Sequence, residues 1–88
     1  MTPRQAAKVI IKPHITERTF DMVESFARIC FIVDRSASKP EIHKAVSVLY
    51  NVEPIKINTT RTVYGKKAFV VLESTEKAKD LATDIGML

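Results

Sequence analysis

Apolar residues alternate through Arg28-Ile-Cys-Phe-Ile-Val-Asp34, with Ile29, Phe31 and Val33 on one face and Cys30 and Ile32 giving partial cover on the other. This pattern predicts a central strand covered on both sides. The period then changes. Ser38-Lys-Pro-Glu41 has the spacing of a capping box, in which the Ser38 hydroxyl accepts from the Glu41 amide and the Glu41 carboxylate reaches back. Pro40 fits there because first-turn amides have no helical partner. Ile42, Ala45, Val46 and Leu49 follow on one stripe at helical spacing, with His43, Lys44 and Ser47 opposite, so this helix lies on a sheet with its polar back outward. Asn51 stands where a helix often ends, and Pro54 stops any continuation.

The flanking segments are shorter. Met1 to Ala7 has no period and reads as a mobile tail in which Arg4 is available for loose phosphate contact. Lys8-Val-Ile-Ile-Lys12 reads as a short strand closed by Pro13. Thr16 can cap a helix through about Ser25, with Ile15 and Phe20 as a hydrophobic staple and Phe20 and Val23 toward the core. Met22 and Phe26 point to another side of that helix, either packed under a neighbouring loop or presented to a partner protein. Ile55, Ile57, Thr59 and Arg61 alternate with Lys56, Asn58, Thr60 and Thr62; Tyr64-Gly65-Lys66 supplies a turn, and Ala68-Phe-Val-Val-Leu72 returns as the second strand of a hairpin. A closing helix opens at Ser74 or Thr75, carries Ala78, Leu81, Ala82 and Ile85 on one face, and meets Gly86 where a left-handed residue is wanted. The predicted order is β-α-β-α-β-β-α, an α+β domain with helices on a mostly antiparallel sheet.

At 88 residues the chain has room for one domain spanning 1–88 and none for a large internal active site. No apolar run approaches the roughly 20 residues of a membrane span. Val9-Ile10-Ile11 is too short for a secretory core, so a cytosolic location with no membrane partner is expected. The lone Cys30 fits a reducing compartment and reads as a small buried hydrophobe. A net charge of +4 and a pI near 9.4 point to an acidic partner, with nucleic acid the commonest kind. After Leu72, Glu73, Glu76, Asp80 and Asp84 outnumber Lys77 and Lys79, so the C-terminal segment is not expected to face phosphates.

Chemistry of other kinds finds little support. Gly65 and Gly86 belong to no glycine-rich run, which excludes a nucleotide-binding loop. His14 has no Cys or second His at ligand spacing, and the pair His14 and Glu17 is as well explained by a turn and a helix first turn as by acid and base. The chain is therefore expected to be no enzyme, with no cofactor, metal or small-molecule substrate. Basic residues fall in three clusters: Lys8 and Lys12 around the first strand, Arg35 and Lys39 around the capped helix start, and Arg61, Lys66 and Lys67 around the hairpin turn. Lys39 sits in a helix first turn, where an outside anion would relieve the cost of a cation. Asn58, Thr59, Thr60 and Thr62 add neutral groups of the sort that bind phosphate and ribose hydroxyls.

Lys12-Pro-His-Ile-Thr-Glu-Arg18, Phe31-Ile-Val-Asp-Arg35, Lys39-Pro-Glu-Ile42, Val46 through Val52, Asn58-Thr59, Gly65-Lys-Lys-Ala-Phe-Val70 and Leu72 follow one another in an order that resembles the large-subunit ribosomal protein twenty-three family. The short link between Val63 and Lys67 and the closing Ile85-Gly86 are similar to the archaeal form; the bacterial form carries a long hairpin extension. The resemblance implies a four-stranded antiparallel sheet packed between helices. It also implies a structural protein bound to large-subunit rRNA beside the polypeptide tunnel exit, among neighbouring ribosomal proteins. Ile15-Thr16-Glu17, with Met22 nearby, would then be a docking surface for the signal recognition particle or other nascent-chain factors, and the turn from Arg35 through Ser38 to Glu41 a phosphate contact. Two other readings remain open. One is a free RRM-like single-stranded RNA-binding module suggested by Lys66-Lys-Ala-Phe-Val70, and the other is a protein–protein adaptor using Met22 and Phe26.

Overall fold

In the computed structural model, which describes residues 1–63 and 65–86, the elements run α1 (Pro3–Val9), β1 (Ile10–Pro13), α2 (Glu17–Phe26), β2 (Arg28–Val33), α3 (Lys39–Tyr50), β3 (Lys56–Thr62), β4 (Gly65–Val71) and α4 (Thr75–Asp84). The expected sequence of elements is present, preceded by one more helix. Met1 to Ala7 is not an aperiodic tail: Thr2 and Gln5 form a capping box, and Ala6 is fully buried. The strand expected from Lys8 begins instead at Ile10, whose amide donates to the Ala6 carbonyl and ends the helix. Lys8 therefore belongs to the last turn of α1, where a cation suits the helix dipole.

The helix caps act as the residues predict. Thr16, Ser38 and Ser74 cap α2, α3 and α4. At Ser38 the hydroxyl accepts from the Glu41 amide at 3.3 Å and donates to its carboxylate at 3.0 Å. Thr19 completes the α2 cap, its hydroxyl accepting from the Thr16 amide at 2.7 Å. Ala27 and Asn51 turn the chain out of α2 and α3 with φ of 53° and 54°, and Gly86 follows α4 with φ of 86°.

The strands form one antiparallel sheet in the order β1-β2-β4-β3. A register shift between Ile10 and Lys12 bends the short edge strand β1. Directly paired residues share a face, so the register divides the sheet cleanly. Ile29, Phe31 and Val33 of β2, Ala68 and Val70 of β4 and Ile57 of β3 point one way into a buried cluster. Ala6, Val23, Ile42, Ala45, Val46, Ala78, Leu81 and Ala82 join them, so all four helices contribute to that cluster. Tyr50 of α3 stacks on Phe31 with centroids 5.7 Å apart. Helix cover is thus uneven: the first turns of α2 border a groove with Cys30, Lys67 and Phe69 on the opposite face. Thr62 pairs with Gly65, so Gly65 and Lys66 begin β4 instead of forming the expected turn; Tyr64, the third residue of that turn, lies outside the described residues. Among the described residues, no helix is long and apolar enough to cross a membrane.

Candidate RNA interface

The second face of the sheet carries Arg28, Cys30 and Ile32 from β2, Lys67, Phe69 and Val71 from β4, and Lys56, Asn58, Thr60 and Thr62 from β3. None of these belongs to the core cluster. Lys12 and Lys67 both pair with Ile32, one from each side, and Thr60 pairs with Lys67. Two lysines thus flank an apolar strand at the centre of the sheet, with polar side chains beyond them. Cys30 and Ile32 are nevertheless buried, at 1% and 4% exposure, so the expected cover on both sides of the central strand is found.

Electrostatics on this face follow from that placement. Burial, then the charges of Lys67 and Lys12, hold the His14 imidazole below its ordinary value. His14 is therefore predominantly neutral at pH 7, and the fixed positive charge on this face comes from Arg28 and the lysines. Burial pushes the Cys30 thiol up to about 11, with Lys67 opposing, so this thiol is not a nucleophile at neutral pH.

The other basic residues of the three clusters lie elsewhere. Arg61 and Lys66 pair with each other across the hairpin on the helix-bearing face, and with Arg35 they line a cleft of about 380 Å³ at the end of the sheet. Thr59 pairs with Ala68 and points to the helix side, away from Asn58 and Thr60. Lys39 borders a shallow depression with Pro40, His43 and Lys56. Ser38 has committed its only side-chain proton to Glu41. Lys8 stands on α1, off the sheet. The three clusters of the sequence therefore become an open-face set of Lys12, Lys67, Asn58 and Thr60, and an end set of Arg35, Arg61 and Lys66. The alternation of β3 and β4 contains the signal for that division, since residues two apart share a face.

Among the docking candidates, Thr16, Glu17 and Met22 line a groove of about 610 Å³ together with His14, Lys67 and Phe69. Ile15 is 44% exposed. The Thr16 side chain is occupied in capping, which leaves the exposed Glu17 carboxylate as the charged group on offer. Met22 is half-buried in the groove, whereas Phe26 is 65% exposed. They stand one turn apart on α2 and differ in exposure, and the described contacts do not single them out as an adaptor patch. An RRM-like use of the sheet also fits poorly: Phe69 is the aromatic residue on the open face among the described strand residues, and the Arg28 guanidinium lies over its ring at 6.0 Å.

The sequence model of the family described as Ribosomal protein L23 matches residues 8–80. The chain is 43% identical over 81 residues to the large ribosomal subunit protein uL23B of Caenorhabditis elegans, an alignment that covers 91% of this chain and 56% of that protein. It is 39% identical over 80 residues to the large ribosomal subunit protein uL23 of Methanobrevibacter smithii, covering 90% of this chain and 93% of that protein. The chain thus spans little more than half the length of the first relative and nearly all of the second. With the match extending from the end of α1 into α4, the chain belongs to the Ribosomal protein L23 family.

Proposed function

We propose that this chain is a structural, non-enzymatic constituent of the large ribosomal subunit, held in the cytoplasm on ribosomes by contact with large-subunit rRNA. The observation that supports this reading, beside family membership, is the open sheet face, where Lys12 and Lys67 flank Ile32 with Asn58 and Thr60 alongside. Lysines there neutralise backbone phosphates, and the neutral groups complete contacts to phosphate and ribose. The resemblance noted above puts the contact near the polypeptide exit tunnel, with other ribosomal proteins adjoining. Sedimentation of the tagged chain from its own cells tests this. Migration with the large subunit, abolished by ribonuclease, is the expected result; recovery only at the top of the gradient overturns it.

A docking role for nascent-chain factors such as the signal recognition particle is the finer part of the proposal. Its support is the groove bordered by Glu17 and Met22. Glu17→Ala should leave incorporation into subunits unchanged and weaken factor binding to the isolated ribosomes. Equal factor binding by wild-type and variant ribosomes would sink it.

A further inference from the structure

Lys66 and Lys67 are neighbours in the chain that leave β4 in opposite directions, and this splits the basic residues between two surfaces. Lys67 pairs with Ile32 and Thr60 and stands with Lys12 on the open face. Lys66 pairs with Val33 and Arg61, on the face that carries the helices. There, just before the first turn of α3, the described residues Arg35, Ser36, Arg61, Thr62, Gly65 and Lys66 line the cleft at the end of the sheet.

Internal bonds fix the walls of this cleft. The Asp34 carboxylate accepts from the Ser36 amide at 3.4 Å and from its hydroxyl at 3.0 Å, closing the turn that carries Arg35. The Lys66 ammonium donates to the Ala37 carbonyl at 2.6 Å, clamping that turn to the hairpin. Ala37 itself is 2% exposed, so the clamp is anchored in the core. Arg35 and Arg61 are both exposed, and no ion pair joins either guanidinium to a carboxylate among the described residues. Each guanidinium retains its fork of donors, the geometry that matches phosphate oxygens.

We propose that this cleft is a second phosphate-binding subsite, in which Arg35 and Arg61 hold the backbone of an RNA segment other than the one on the open sheet face. The chain then bridges two RNA segments. This rests on the RNA-binding reading above and adds to it the number and placement of the contacts. The adjacent residues Thr60 and Arg61, and Lys66 and Lys67, leave the sheet on opposite faces, so the sheet itself separates the two basic sets. Contacts of this kind position an RNA rather than read its bases.

The test uses the full chain, large-subunit rRNA, and two double variants: Arg35→Gln with Arg61→Gln, and Lys12→Gln with Lys67→Gln. Hydroxyl-radical footprints and the salt dependence of binding are measured for each. Each double variant should lower the slope of log affinity against log salt by about 1.4 to 1.8, the loss of two phosphate contacts. Each should also erase protection over a different stretch of RNA. If the arginine pair changes neither slope nor footprint while the lysine pair changes both, the subsite is overturned and the RNA-binding reading stands. If both pairs erase the same stretch, bridging is overturned. If neither pair matters, the RNA-binding reading falls together with the subsite. The exposure of both arginines lets their variant fold, and coincident thermal melts confirm that it has done so.

Discussion

The Nε2 atom of His43 stands 3.1 Å from the carbonyl oxygen of Pro54, tying the outer side of α3 to the loop that leads into β3. A carbonyl only accepts, so Nε2 carries the proton in this arrangement. Glu53 adds a carboxylate oxygen at 3.5 Å. The polar back of α3 is therefore not wholly a solvated face, because one of its residues holds the chain after Asn51 and Pro54 is itself buried. His43→Ala should destabilise the fold by about 1 kcal/mol, the net worth of a partly buried hydrogen bond. Urea unfolding should show a lower midpoint with an unchanged slope.

The Ser38 cap offers a second measurement. Ser38→Ala removes both hydroxyl bonds to Glu41, at 3.0 and 3.3 Å, and leaves the Glu41 amide to water. A loss of about 1 kcal/mol is expected, which lowers the melting temperature of a chain this size by roughly 4–8 °C. Ser38→Asp should restore most of it, since a carboxylate at the cap also favours the dipole.

Alkaline pH probes the open face from beneath. The Cys30 thiol is raised from 9.0 to about 11 by burial, so over that window the unfolded chain releases a proton that the folded chain retains. The unfolded state then binds fewer protons, and stability falls as pH rises from 9 toward 11. Tyr50, also raised by burial, acts in the same direction. Cys30→Ala should show a shallower decline in urea midpoint between pH 9 and pH 10.5 than the wild type. Identical declines in the two proteins would show that the thiol is accessible in the folded state.

Among the described basic residues of the two surfaces assigned to RNA, Lys66 is the one whose side chain donates to a backbone carbonyl. Lys66→Ala removes the ammonium that donates to Ala37 and frees the Asp34–Ser38 turn from the hairpin. A destabilisation of about 1–2 kcal/mol is expected. By contrast, Lys67→Ala, on the open face, should change stability by roughly 0.5 kcal/mol or less. Chemical denaturation of the two variants side by side separates a lysine that supports the fold from one available to RNA.

Most of this fold was legible because its signals are local. The Ser38-to-Glu41 box, Thr16, Asn51 and Gly86 mark helix ends by their own side chains or backbone preferences, and the alternation from Ile29 to Val33 marks the central strand. α1 escaped for a physical reason. It is seven residues long, and Ala6 is its buried residue, so it presents no stripe; its stability comes from packing against α3 rather than from periodicity. Val9-Ile10-Ile11 then reads as one β-branched run although the helix ends inside it. The site was legible residue by residue but not as an assembly. Arg35 and Arg61 meet only because the sheet order brings the turn after β2 beside the β3–β4 connection, and the face on which Lys12 emerges depends on the irregularity in β1.

The alternation of Lys66 and Lys67 also limits how this chain can change in length. One residue added between Gly65 and Val71 would exchange the faces of every side chain beyond it, sending a charge into the core and Ala68 or Val70 out of it. An insertion between Thr62 and Gly65 lies outside the paired ladder and leaves both faces intact. This hairpin can therefore lengthen at its tip at a loop-closure cost that grows only slowly with each added residue, while the paired stretch behind it is held to a fixed count of residues.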